Sequence, residues 1–265
     1  MTMRKWLLAV IATVVLSASA CGGTGATVTD ETLPAAETTL PPPTTLPCND
    51  PVLPAGSSLT ATAANPGELA IYAAPDPTAA PVRTMTNPRL INNDPNAAVP
   101  LLFLVKDTPD TNCDWIEVYL PVRPNGATGF VKRTDVKLTT NPYRIEVHLG
   151  EFRLVVFNGQ ETVMDTTIAE AAENTPTPGG LYYTTELIKT PNPGGVYGPY
   201  AYGLSGFSDV LQTFNGGPGQ LGIHGTNEPQ KLGQKVSHGC IRMSNDDITT
   251  LARMLPLGVP VTIIA

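Results

Sequence analysis

From about residue 59 onward the chain is cut into short apolar runs by Pro, Asn and Gly, and only one stretch near its C-terminus carries helical spacing. Short runs between turn residues suit β-strands and leave few segments long enough to form helices. In a first block, Glu68 to Tyr72, Leu101 to Val105, Trp115 to Leu120 and Thr128 to Val131 read as strands. In a second, Tyr143 to Leu149 and Phe152 to Phe157 flank a turn at Gly150, and Asn158-Gly159 turns the chain into Glu161 to Ile168. Leu181 to Leu187 and a buried run from Val259 to Ile264 complete the set. The one helix starts at Ser244, an N-cap residue, with Asp247 three positions later as a short capping-box partner and Asp246 complementing the helix dipole. Ile248, Leu251, Ala252 and Leu255 fall at i, i+3, i+4 and i+7, and Pro256 stops the helix. The expected fold class is therefore mainly β.

The first 58 residues carry a different signal. Arg4 and Lys5 precede an apolar run, Trp6 to Leu16, that ends in small residues before Cys21, so 1–20 reads as an export signal. The run is too short for a transmembrane helix. Small residues followed by Cys21-Gly22-Gly23 resemble a bacterial lipoprotein signal, which implies lipidation of Cys21; Ala18 stands where Leu is usual, and cleavage after Ala20 with release is the alternative. Residues 21–58 are rich in Thr, Pro, Ala and Gly, which bury too little apolar surface to offset the entropy of ordering, so they read as a tether.

The reactive residues are concentrated elsewhere. Ile223 to Met243 holds two of the three histidines and one of the four cysteines. A thiol is mostly protonated at neutral pH and needs a neighbouring imidazole or dipole to become a nucleophile. His224 and His238 are the candidates beside Cys240. His238 and Cys240, two apart, would share a face if extended, and Gly239 would leave backbone N–H groups free as an oxyanion hole. A zinc site made of His224, His238 and Cys240 lacks the usual closely paired ligands and a carboxylate. No nucleotide-binding glycine pattern occurs, so no cofactor is expected. His148, in an alternating strand, reads as structural or surface.

His224-Gly225-Thr226 followed by Ser237-His238-Gly239-Cys240-Ile241-Arg242 resembles the signature of the L,D-transpeptidase, or YkuD-type, catalytic domain. Thr175-Pro176-Thr177-Pro178-Gly179, Gly198-Pro199-Tyr200 and Phe214-Asn215-Gly216-Gly217 extend the likeness over the C-terminal part. The resemblance implies a β-sandwich-like catalytic domain with one C-terminal helix. It makes Cys240 the nucleophile and His224 the general base, its ring held by a neighbouring carbonyl, with His238 beside the thiol; which histidine takes the thiol proton stays open. Ser237, Gly239, Arg242, Gly225, Thr226 and Tyr202 would contribute oxyanion stabilisation or substrate contacts. Tyr197, Tyr200 and Tyr202, within a long Gly- and Pro-dense stretch from Lys189 to Gly219, suggest a lid similar to the flap of the family. Donor and acceptor would be peptidoglycan stem peptides, the product a 3-3 cross-link, and carbapenem-type β-lactams inhibitors. An L,D-carboxypeptidase using the same site and a non-catalytic wall-binding protein are the alternatives.

Trp115-Ile116-Glu117-Val118, Arg123-Pro124-Asn125-Gly126 and Gly129-Phe130-Val131 resemble a bacterial SH3-like barrel, with wall binding or simple spacing as its role. The expected organisation is thus a signal over 1–20, a tether over 21–58, an SH3-like domain over 59–138 and a catalytic domain over 141–265. An exported chain meets an oxidising environment, so Cys48 and Cys113 can pair, leaving Cys21 for lipid and Cys240 free. A formal charge of −7 without a basic cluster argues against nucleic acid and against electrostatic docking on membranes; a lipid anchor would be the only membrane link. The expected location is the cell envelope.

Overall fold

The computed structural model describes residues 48, 50, 52–91, 94, 97–107, 113–214 and 216–265. The export signal, Cys21, most of the tether and Asn215 lie outside these. Among the described residues no helix is long and apolar enough to cross a membrane.

The N-terminal part is built on β1 (Ser58–Ala63), followed by the hairpins β2 (Gly67–Ile71) with β3 (Arg83–Asn87) and β4 (Arg89–Leu90) with β5 (Ala98–Val99). Then come β6 (Leu102–Asp107), β7 (Trp115–Tyr119), β8 (Thr128–Lys132) and β9 (Val136–Asn141), and the main sheet runs β8-β7-β6-β1-β9. Alternate residues of these strands point inward, so Ile71, Phe103, Ile116, Val118 and Val131 close a core of their own. Cys48 and Cys113 are joined by a disulfide, with Cα atoms 5.0 Å apart.

Two segments differ from the sequence reading. The end of the expected tether, at Ser58, already belongs to β1, and the expected boundary at 138–141 lies inside β9. These two segments pair with each other over their whole length, from Ser58 with Asn141 to Ala63 with Val136. Leu59, Ala61 and Ala63 alternate with hydroxyl residues in β1, and Val136 and Leu138 with polar ones in β9, but small Ala and the threonines make this a weaker signal than a Val- or Ile-rich strand gives. Only Pro142 separates β9 from the next strand.

The C-terminal part adds β10 (Tyr143–His148), β11 (Arg153–Asn158), β12 (Glu161–Thr167), β13 (Glu170–Ala171), β14 (Gly180–Lys189), β15 (Tyr200–Phe207), β16 (Gln220–His224), β17 (Lys235–Ser237), β18 (Ile241–Arg242), α1 (Asn245–Met254) and β19 (Pro260–Ile264). Eight of these strands form one continuous mixed sheet, β12-β11-β10-β19-β14-β15-β16-β18, rather than two stacked ones. Val147 and Leu154 from one half of it share a core with Leu204, Ile223 and Ile241 from the other. Distant strands can meet in one core only if the sheet curls over, and α1 lies inside the curl, burying Ile248 and Leu251 for about 2 kcal/mol each. Ser244 caps α1 by accepting the Asp247 N–H at 3.0 Å. The Asp247 carboxylate accepts from the Ser244 and Thr166 hydroxyls, both at 2.7 Å, so it ties the helix to β12 instead of closing a capping box.

The stretch from 189 to 219 is not a single loop. Its middle is β15, whose glycines hide the strand pattern, and what remains is one loop over 190–199 and another over 208–219. The C-terminal β19 is central, parallel to β10 and antiparallel to β14, with one buried face rather than two.

Strand β14 is buried on both faces. Tyr182 points into the curled core, while Tyr183 packs on Leu102 and Leu104 of the N-terminal sheet and donates to the Tyr119 carbonyl at 3.1 Å. A second contact between the parts involves the turn after β7. Arg123 donates to the carbonyls of Ser208, Leu211 and Pro218 at 3.0–3.1 Å, and Asn125 exchanges hydrogen bonds with the Phe207 backbone at 2.8 and 2.9 Å. The loop over 208–219 is therefore held by the N-terminal part.

Candidate active site

Strand β16 carries the sequence cluster into place. Its residues alternate, so Leu221 and Ile223 enter the core while Gly222 and His224 lie on the opposite face. Strand β18 runs parallel beside it, pairing Ile223 with Ile241 and His224 with Arg242, which brings Cys240 next to Gly222. A Cβ added to Gly222 would lie 3.8 Å from the Cys240 sulfur. Thiol and imidazole thus occupy the same side of one strand, over positions two residues apart. No hydrogen bond joins them among the described residues, as is common in thiol sites without bound substrate.

His224 is buried, and its Nδ1 lies 2.6 Å from the Gly225 carbonyl. A carbonyl only accepts, so Nδ1 carries the proton and Nε2 keeps a lone pair. Burial lowers the ring's pKa from 6.5 to about 4; the Gly225 carbonyl opposes this and the Arg242 guanidinium adds to it. At neutral pH the ring is a neutral base. Burial raises the Cys240 thiol, with the Gly222 backbone and Arg242 acting against it. The resting site accordingly holds thiol and imidazole rather than a preformed ion pair. The only free thiol among the described residues is that of Cys240.

The segment over 237–240 is not extended. Gly239 adopts φ +123°, a backbone that an L side chain rarely takes. His238 is consequently exposed and stacks on Phe214, centroids 5.4 Å apart, while the thiol turns inward over Gly222. The alternation that would have aligned His238 with Cys240 does not apply. Ser237 is buried and shapes the turn: its hydroxyl donates to the Cys240 carbonyl and accepts the Gly239 N–H at 3.3 Å. The Gly239 amide is therefore engaged within the turn. Thr175 and Thr177 of the Thr-Pro turn donate to the carbonyls of Ser237 and Gly239, at 3.4 and 2.9 Å, bracing the turn from below.

Cys240, His224, His238, Ser237, Gly239 and Arg242 all line one cavity of about 240 Å³. Three other expected contacts do not reach it through their side chains. Tyr202 pairs with Ile223 and so faces the core, where its hydroxyl donates to the Leu251 and Leu255 carbonyls at the end of α1. Gly225 gives the loop over 190–199 and α1 room to close: a Cβ there would collide with Asn245 and lie 3.0 Å from the Gly198 Cα. Thr226 is buried, donating its N–H to Asn245 at 2.9 Å and capping the Glu228 N–H at 3.0 Å. Of the expected lid tyrosines, Tyr197 alone stands at the site, edge-on to His224 with centroids 4.8 Å apart, while Tyr200 packs against the core.

Two residues at the site, Glu228 and Gly222, lie outside the motif. Glu228 sits 3.4 Å from the Arg242 guanidinium, whose Nε is buried without a partner at a cost on the order of 1–3 kcal/mol. Gly222, two residues before His224, was the findable one, since strand alternation places it on the histidine's face. His148 lies away from the cavity, 3.6 Å from Glu146. Among the described residues no group of three or more His, Cys, Asp or Glu side chains is placed to hold a metal ion.

The description of the YkuD L,D-transpeptidase catalytic domain matches residues 142–263. A protein named as the L,D-transpeptidase YkuD of Bacillus licheniformis is 38% identical over 124 residues, which cover 47% of this chain and 67% of that protein. Its Bacillus subtilis counterpart is 37% identical over the same extent. The chain therefore spans about two thirds of the length of these relatives. Among solved structures, the catalytic domain of an Enterococcus faecium L,D-transpeptidase aligns at 21% identity and a TM-score of 0.33, covering 46% of this chain and 95% of that one.

Proposed function

Since the chain belongs to the YkuD family of L,D-transpeptidase catalytic domains, we propose that it is a peptidoglycan L,D-transpeptidase working through a thioester on Cys240. His224 Nε2 takes the thiol proton as sulfur attacks the carbonyl of the bond between an L-centre and the terminal D-residue of a stem tetrapeptide. The S–C bond forms, the C–N bond breaks, and the imidazolium returns the proton to the departing amine of the D-residue. The Cys240 amide donates to the tetrahedral oxyanion. A side-chain amine of a second stem then attacks the thioester, the C–S bond breaks, the amine's proton passes to His224 and on to the thiolate, and a 3-3 cross-link results.

One observation carries this reading: a neutral, tautomer-fixed His224 on the same face of β16 as the Cys240 thiol, in one cavity. It favours His224 over His238 as the base, because His238 is exposed against Phe214. Carbapenem-type β-lactams, which present a strained acyl group to the same thiol, are the expected inhibitors. The reading also includes export to the cell envelope, a lipid on Cys21 and an SH3-like N-terminal module that positions the enzyme on the wall.

The test is incubation with a disaccharide-tetrapeptide, using the wild type and Cys240→Ala, followed by mass analysis. Cross-linked dimer with the wild type and none with the variant is the expected result. Tripeptide without dimer identifies an L,D-carboxypeptidase instead. Neither product, with no carbapenem adduct on Cys240, leaves a wall-binding protein.

A further inference from the structure

The cavity at Cys240 shares lining residues with a wider groove of about 740 Å³ that Arg89 and Glu186 also line. Glu186 lies on β14 and Arg89 on β4, so the groove is walled by both parts of the molecule. The carboxylate of Glu186 is buried, ion-paired with Arg89, bonded by the Thr185 hydroxyl and by Gln220 Nε2 at 3.0 Å.

The sheet sets this carboxylate beside the sulfur. Glu186 pairs with Gly203 on β15, and Gly203 pairs with Gly222 on β16, so the three form one row across neighbouring strands. A Cβ on Gly203 would collide with Glu186 Oε1, and a Cβ on Gly222 would meet the Cys240 sulfur. The two glycines thus clear a trough with the carboxylate over one strand and the thiol over the next. Strands are about 4.8 Å apart, so roughly 5–10 Å separates the two groups, the reach of one or two residues. The ladder shifts register between Thr184 and Glu186. Without that bulge Thr185 would oppose Gly203 and Glu186 would oppose Tyr202, on the core face; bulges re-aim side chains in this way beside active sites.

We propose that Arg89 and Glu186 form the acceptor subsite, which takes an amine that sits next to a carboxylate, the end group of an α-amino acid. This rests on acyl transfer at Cys240 as proposed above. An ionised carboxylate accepts about four hydrogen bonds. Three are accounted for here, and Oε1 has room for the incoming ammonium. Arg89, with 29% of its side chain exposed, offers a planar fork suited to a carboxylate. A lone cation or a lone anion meets a nearly neutral pair, whereas adjacent opposite charges match both members. The amine then lies within reach of the thioester: the ammonium gives one proton to solvent, the C–N bond forms as the C–S bond breaks, and the amine's second proton passes to His224 and on to the thiolate.

The full chain is acylated with tetrapeptide donor, and glycine, glycinamide or ethylamine is added at equal concentrations of unprotonated amine. Mass spectrometry reads aminolysis product against hydrolysis product, a ratio independent of the acylation rate. In the wild type glycine is expected to exceed glycinamide about tenfold, equivalent to about 1.4 kcal/mol. Arg89→Ala and Arg89→Gln should bring that preference close to one, and Glu186→Gln should lower the aminolysis ratio for all three amines. Equal use of glycine and glycinamide by an acylated wild type overturns the subsite and leaves the transpeptidase reading standing. An acylated Arg89 variant that keeps the glycine preference also overturns it. Absence of any acyl-enzyme overturns both.

Discussion

Both sheets bury an apolar core, the curled sheet the larger one, but they differ more in the polar groups they hide. Around the five-stranded sheet the buried polar side chains are few, among them Thr60 and Asn87. Around the curled sheet Thr175, Thr177, Thr184, Thr185, Glu186, His224 and Ser237 are all buried, most of them close to Cys240. Burying a polar group costs free energy unless a partner compensates. Such groups collect where the fold must hold a turn and a ring in one arrangement, and the N-terminal sheet, which holds no reactive residue, has little need of them. The N-terminal part nevertheless reaches the site, through Arg123 and Asn125 in the turn after β7 and Arg89 on β4.

Four experiments would break or sharpen this contrast. The largest effect expected is an acid sensitivity confined to the curled sheet. His224 in the folded chain titrates near 4, below the 6.5 of an unfolded histidine. Between those values the unfolded chain binds more protons, so His224's contribution is complete above pH 6.5 and is lost as pH falls towards 4. The span corresponds to roughly 3 kcal/mol. Denaturant titrations at pH 7 and pH 4 on the wild type and on His224→Gln measure it; equal acid losses in both proteins would refute the assignment. The same base should give the pH-rate profile an acid limb near 4.

Next comes Gly225→Ala. The added methyl meets Asn245 and the Gly198 backbone, and overpacking of this kind costs about 1–3 kcal/mol. Chemical denaturation should show that loss, together with weaker activity, because Gly225 also supplies the carbonyl that orients His224. A variant as stable and active as the wild type would show that this junction gives way easily.

Arg123→Ala removes three hydrogen bonds to the carbonyls of the loop over 208–219. Loosening that wall should raise KM about tenfold, equivalent to 1.4 kcal/mol, with a smaller change in kcat. Arg123→Lys should not restore it, because an ammonium lacks the planar fork. Unchanged KM would reduce the N-terminal sheet to a spacer. Smallest of all, Arg153→Ala should leave the melting temperature unmoved, since its pair with Asp165 is exposed and surface pairs contribute little.

How much of this was legible depended on whether a feature is written in adjacent residues. The strand pairs around Gly150 and Asn158-Gly159, the helix beginning at Ser244 and the crowding of His224, His238 and Cys240 could be read directly. Ser58 to Ala63 and Val136 to Asn141 could not, because Ala and Thr leave only a weak apolar alternation in them and their pairing joins segments far apart in the chain. The core orientation of Tyr202 was hidden because an amphipathic side chain suits a cleft or a core equally well; the Leu251 and Leu255 carbonyls, from a helix 49 residues away, decided it. His238 was misaligned because one glycine torsion replaced the extended geometry.

What the chain alone determined is the chemistry available and the local shapes: a rare thiol and two imidazoles at short spacing, strands punctuated by turns, one capped helix. These depend on residue type and near-neighbour spacing, which a linear sequence contains. Only the tertiary structure decided which imidazole lies buried on the thiol's face of β16, and that Glu186 shares a groove with Cys240 and with Arg89 from the N-terminal part. Those outcomes depend on strand register and sheet curvature, which bring together residues far apart in the chain, and no local pattern encodes the alignment of one strand against another.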